Sequence, residues 1–188
     1  MKKTLFTLLL LITVLTTSAR QRQLFDAGWL FFLGDKPSMA SPDYNDASWR
    51  HLNLPHDWAI EGDFRDGNPS GAGGGALPGG IGWYRKHLAI SEEEAATLKT
   101  KKYWLAFDGV YMNSTVYVNG KEVGHRPYGY SSFEYDITPE LKTGDNVIAV
   151  KVDNSDQPNS RWYSGCGIYR HVWLTTTSTL HFDHWGVQ

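Results

Sequence analysis

The residues best suited to chemistry lie near the C-terminal end of this 188-residue chain, in NSRWYSGCGIYRHVWL from Asn159 to Leu174. Arg161, Trp162 and Tyr163 set a guanidinium, an indole and a phenol side by side. Such a group suits a sugar, whose C–H faces stack on rings while its hydroxyls take up hydrogen bonds. It equally suits an ordinary loop whose rings cover the edge of a core. A second candidate is LPHDW, where His56, Asp57 and Trp58 follow a proline. Asp57, flanked by an imidazole and an indole, either presents a carboxylate to sugar hydroxyls or caps its own turn. The candidate substrate contacts are thus His56, Asp57, Arg161, Trp162 and Tyr163, with no catalytic residue among them.

Other chemistries find less support. The stretch GAGGGALPGGIGW from Gly71 superficially matches a dinucleotide fingerprint, but no predicted strand precedes it and no helix follows. It also has no Lys-Ser/Thr pair for a phosphate loop, so nucleotide binding is set aside. It is either a flexible surface loop or one that closes over a neighbouring site. The Asp and His residues are scattered without the spacing of a transition-metal site. No metal and no cofactor are expected, although a sandwich edge could hold an incidental calcium. Asn113-Ser114-Thr115 is a glycosylation sequon by pattern and reads as accidental. The only cysteine, Cys166, cannot form an internal disulfide, and its place between two glycines predicts a small buried side chain. Arg170, in an otherwise apolar run, is expected to pair with a carboxylate.

These residues need elements to position them. Lys2 and Lys3, an apolar run from Leu5 to Leu15 and the small residues Thr17-Ser18-Ala19 read as a signal peptide spanning 1–19. The run is too short for a membrane span, so the expectation is an exported, periplasmic or extracellular protein with no membrane partner. Setting Lys2 and Lys3 aside from 18 basic residues leaves 16, against 20 acidic, and this balance carries no footprint for nucleic acid. The remainder suffices for one sizeable core. Eight Trp and ten Tyr are many for that length, and in an exported protein this tilts the reading toward glycans.

Tyr103–Phe107, Ser114–Asn119, Asn146–Asp153 and Arg170–Thr175 are short runs of β-branched and aromatic residues, read as strands. Val116 and Val118 fall opposite Tyr117, and Ile148, Val150 and Val152 fall opposite Ala149 and Lys151, the alternation of half-buried strands. Asn119-Gly120 predicts a two-residue hairpin turn, and Gly144-Asp145 another turn. One brief helix is expected over Ser91–Lys99, since Ser91 and Glu94 have capping-box spacing. Leu24 to Trp83 alternates little and reads as irregular segments wrapping a sandwich. The fold class is therefore all-β, an antiparallel sandwich or jelly roll with long irregular N-terminal segments.

Taken in order, FDAGWLF, LPHDW, GGIGWYRKHL, LAFDGVYMNSTVYVNGKEVGHRPYGYSSFEYDIT, NVIAVKVDN and WYSGCGIYRHVWL resemble the N-terminal jelly-roll domain of glycoside hydrolase family 2. The resemblance covers essentially the whole chain after residue 19 and is nearest to β-galactosidases of gut Bacteroidetes. It implies a galactose-binding-domain-like jelly roll over 20–178, with 179–188 starting a linker toward an immunoglobulin-like domain and a catalytic barrel. The family needs two carboxylates about 5 Å apart, one nucleophile and one acid/base. Its acid/base Glu follows an Asn, and the sequence has no Asn-Glu pair. The resemblance thus implies a domain that positions a β-galactoside or related glycan for a barrel not in this chain, inactive by itself. An autonomous carbohydrate-binding module and a structural or homo-oligomerising domain are the alternatives. In the family pattern an Asp near the S-G-I-x-R segment helps bind galactose and sodium. Arg161 stands near that place here, and a cation cannot ligate sodium.

Overall fold

The computed structural model describes residues 20–183 and Gly186, so the expected signal peptide and part of the expected linker lie outside the described residues. Among the described residues, ten strands form two antiparallel sheets. One holds β1 (Gln21–Leu24), β5 (Lys101–Phe107), β8 (Phe133–Asp136) and β10 (Val172–Ser178), in the order β1-β10-β5-β8. The other holds β2 (Trp29–Leu33), β3 (Arg50–Leu52), β4 (Gly80–Ile90), β6 (Ser114–Val118), β7 (Lys121–Arg126) and β9 (Gly144–Asn154), in the order β3-β2-β4-β9-β6-β7. The core lies between them. Leu105, Phe107, Val172 and Leu174 from the smaller sheet meet Tyr84, Val116, Val118, Ile148, Val150 and Val152 from the larger. The all-β sandwich read from the sequence is the observed fold.

Local signals act as their chemistry dictates. Asn119 and Gly120 adopt φ of 51° and 84°, both positive, and close the β6–β7 hairpin at the Val118–Lys121 pair. Helix α1 (Glu92–Thr97) starts with a complete capping box: the Glu94 amide donates to Ser91 Oγ at 3.1 Å and the Ser91 amide to Glu94 Oε2 at 2.9 Å. Gly144 and Asp145, expected as a turn, instead begin β9 opposite Ile90 and Ala89.

The larger departure concerns the N-terminal third. The segment expected to be irregular contains β2 and β3 and runs into β4, an 11-residue strand at the heart of the larger sheet. Alternation is hidden there because both faces of the sheet are covered. Trp29 and Phe31 enter the central core, while Leu30 turns to the other face and joins Met39, Trp49, Trp83 and Ala149 in a second cluster. Residues 34–49 do wrap the sheet as expected, and they build that cluster. Arg85, fully buried, ties them down: its Nε donates to Asp46 Oδ2 at 2.7 Å and its Nη1 to the carbonyls of Met39 (2.7 Å) and Ser41 (2.9 Å). A buried guanidinium is tolerated only when its donors are met in this way.

Arg170 departs from its expectation too. Strand β10 begins at Val172, so Arg170 belongs to the preceding loop. It is exposed, its guanidinium 5.4 Å from the centroid of the Tyr169 ring, and among the described residues it has no carboxylate partner.

Candidate functional site

The segment 166–168 is the point where loops from one end of the sandwich are joined. On one side the His56 amide donates to the Ile168 carbonyl at 2.8 Å and the Trp58 amide to the Cys166 carbonyl at 3.1 Å. On the other, Tyr111 and Gly167 exchange backbone hydrogen bonds of 2.9 and 2.8 Å. The LPHDW turn therefore runs against the strongest part of the C-terminal motif. Gly167 must be glycine: its φ is +124°, and a Cβ there would lie 2.8 Å from the His56 carbonyl and also strike the Tyr84 hydroxyl.

Asp57 completes the clamp. Its Oδ1 accepts from the Ala59 amide at 2.9 Å, closing its own turn, and from the Cys166 amide at 3.0 Å. Its Oδ2 accepts from the Tyr163 hydroxyl. Burial and the adjacent Asp57 carboxylate push the Tyr163 phenol well above its ordinary pKa, so it stays protonated and donating. Asp57 thus joins the two candidate motifs, with both oxygens engaged.

His56 faces inward. It is 8 % exposed, with Nδ1 2.7 Å from the Tyr84 hydroxyl and Nε2 3.4 Å from Glu61 Oε2. Burial lowers its pKa, which favours the neutral ring at pH 7, while burial raises that of Tyr84. Glu61 is gripped two-pronged by Arg50, at 2.6 and 2.7 Å, and this fork holds its carboxyl at about 2. Sequence reasoning passed over Glu61 and Arg50, because neither stands in a recognisable motif.

Arg161, Trp162 and Tyr163 come together on the outside. Trp162 is 68 % exposed and Tyr163 42 %, and the Arg161 guanidinium lies 4.9 Å from the Trp162 ring centroid. Their loop is fixed from below by Asn154, which is almost wholly buried. Asn154 Oδ1 accepts from Gln157 Nε2 (2.8 Å) and Asn159 Nδ2 (2.6 Å), while its Nδ2 donates to the Gly165 carbonyl (3.1 Å) and to Cys166 Sγ (2.8 Å). No sequence signal marked Asn154, whose partners lie up to 12 residues away. Cys166 is the small buried residue expected, its thiol pushed up to about 12, mainly by burial.

The glycine-rich loop is ordered and borders the same place. Leu77 is anchored in the core, its amide donating to Ser70 Oγ at 2.8 Å. A Cβ on Gly73 would lie 3.2 Å from the Arg161 carbonyl, so the two loops touch along bare backbone. Between them is a narrow cleft of about 20 Å³, room for little more than a water molecule, bordered by Trp162, Tyr163, Ser70 and Asn159. This arrangement offers a stacking ring, a guanidinium and hydroxyl donors. Its carboxylates are engaged in clamps and are not paired as acid and base, and the groups free to meet a ligand lie on its outer surface.

Comparison with known proteins identifies the family. The model of the family described as glycosyl hydrolases family 2, sugar binding domain, matches residues 77–178. A β-galactosidase of Bacteroides ovatus is 58 % identical over 170 residues, covering 90 % of this chain and 20 % of that protein. A β-glucuronidase of Formosa agariphila is 33 % identical over 184 residues, covering 89 % of this chain and 18 % of that protein. The crystal structure of a β-glycosidase from Bacteroides vulgatus superposes with a TM-score of 0.78 at 48 % identity, covering 83 % of this chain and 20 % of that one. The chain thus spans about a fifth of the length of these relatives.

Proposed function

The chain belongs to the sugar binding domains of glycosyl hydrolase family 2, and on that premise we propose that it forms one wall of the substrate pocket of an exported β-galactosidase-type enzyme. Its role is to orient a β-galactoside or related β-glycoside against catalytic carboxylates carried elsewhere in the enzyme. Orientation of this kind lowers a barrier without chemistry of its own. The observation that carries the reading is the exposed Arg161-Trp162-Tyr163 surface, held on a loop clamped by Asp57 and Asn154. Export rests on the Lys-led apolar segment at the N-terminus.

The test is direct. The purified chain, free of contaminating glycosidase, is expected to leave an aryl β-galactoside intact. Turnover by this chain would overturn the reading. A second role is supported by Ile60 and Phe64, 63 % and 76 % exposed on one loop. Such rings and branches suit packing against another domain or another copy. Self-association measured by light scattering, and abolished by Phe64→Ser, would support it; a clean monomer would remove it.

A further inference from the structure

A second groove, open to solvent and about 640 Å³ in volume, shares no lining residue with the cleft beside Trp162. Its walls include Tyr130, Ser131, Asp108, His171 and Arg170. Tyr130 is 48 % exposed, yet its ring is set edge-on to Tyr111 at 5.3 Å and to Tyr128 at 5.8 Å. A ring held by two neighbours is a stacking face prepared in advance, with little side-chain freedom left to lose on binding.

The charges of this groove are unevenly satisfied. Asp108 Oδ2 accepts from Trp173 Nε1 at 2.8 Å, and its Oδ1 lies 3.7 Å from Arg22. His171 Nδ1 lies 2.6 Å from Asp26 Oδ2. Arg170 lies beside the Tyr169 ring and against Gly109 and, among the described residues, has no carboxylate partner. The Ser131 hydroxyl is buried behind this wall, without a hydrogen-bond partner among the described residues. One exposed guanidinium is thus left over beside a rigid aromatic face.

We propose that this groove is a second glycan subsite, for a hexose bearing a negative charge as a carboxylate or a sulfate ester. Tyr130 takes the C–H face of the ring, and the Arg170 fork takes the anion through paired, charge-assisted hydrogen bonds. A neutral sugar would use the ring and leave the guanidinium unanswered. The proposal needs from the preceding reading only that this chain meets glycans.

The experiment titrates the isotope-labelled whole chain, followed by NMR, with methyl β-glucuronide, a 6-sulfated methyl β-galactoside and methyl β-galactoside. The expected result is binding of an anionic probe with the neutral one at least about tenfold weaker, the scale of one charged hydrogen bond. Binding of one anionic probe alone would name the source of the charge. Arg170→Met should erase the preference, Tyr130→Ala should weaken every probe, and Tyr130→Phe should restore the stacking. Trp162→Ala should weaken only galactoside contact at the first groove and leave the anionic preference in place. Equal binding of neutral and anionic probes, a preference that survives Arg170→Met, or no binding at all would overturn the proposal. Loss of anionic binding in Trp162→Ala would place the ligand at the other groove and also overturn it. Galactoside binding lost only in Trp162→Ala bears on the first site, so the two readings can fail separately.

Discussion

Within the Asn159–Leu174 motif, Trp162 stands in water while Ile168 is fully buried. Both belong to one short stretch, yet they are held by different means. The buried half is fixed by backbone hydrogen bonds to His56, Trp58 and Tyr111, with glycines wherever two chains approach too closely for a Cβ. The exposed half makes few contacts of its own and is held by two polar side chains beneath it, Asp57 and Asn154. The difference teaches where precision comes from at this end of the sandwich. Side chains that offer binding surface are positioned by supporting hydrogen bonds and not by their own packing.

If the buried half opens only with the whole domain, Cys166 reports it. Its thiol is 3 % exposed and pushed up to about 12 by burial, so alkylation near pH 8 must await an opening. For a domain of ordinary stability, labelling should be at least roughly 10³-fold slower in native protein than in denatured protein. Mass spectrometry over a time course reads both rates. Native labelling within about tenfold of the denatured rate would show that this half opens locally, and the comparison would fail.

Next in size is Gly167→Ala, which combines a positive φ with a collision against the Tyr84 hydroxyl and the His56 carbonyl. A loss of about 3 kcal/mol is expected in urea unfolding. Gly144→Ala is the control, since φ is +88° there but nothing lies within 4 Å, and about 1 kcal/mol is expected. Equal losses would assign the effect to backbone strain alone and remove the role given to close packing.

How much of this was legible beforehand depends on the range of the interaction. Asn119-Gly120 and the Ser91–Glu94 capping box act across a few residues, and both could be read directly. Strand β4 could not. Trp83 and Tyr84 are neighbours buried in different clusters, so a strand covered on both faces loses the alternation that marks one. Nothing local marks the burial of Arg85, because its partners lie in the 39–46 segment. At the site, the residue types of Asp57 and Tyr163 were legible. Their contact across 106 positions was not, because it exists only once the loops are brought together.

Asp57→Ala tests that contact. It leaves the Ala59 and Cys166 amides without their acceptor and frees Tyr163, for an expected loss of about 2 kcal/mol. Asn keeps one side-chain oxygen, so Asp57→Asn should recover part of the stability. Quenching of Tyr163 and Trp162 fluorescence by acrylamide should rise in the Ala variant as the exposed loop loosens. Unchanged quenching would mean that Asn154 alone fixes the loop.

The smallest stability effect belongs to Trp162→Ala. A side chain 68 % exposed, with a guanidinium as its main neighbour, supports little of the fold, and the change should lie within about 0.5 kcal/mol of zero. Asp57 and Asn154 stay in place, so the backbone that carried the ring should not move. If the ring is there for a ligand, the same substitution should weaken galactoside contact at the first groove while the urea midpoint stays still. A large loss of stability would mean that Trp162 shields the core edge, the plainer alternative left open by the sequence. Stability and binding, read on one variant, therefore separate a ring that holds the protein together from a ring that meets a sugar.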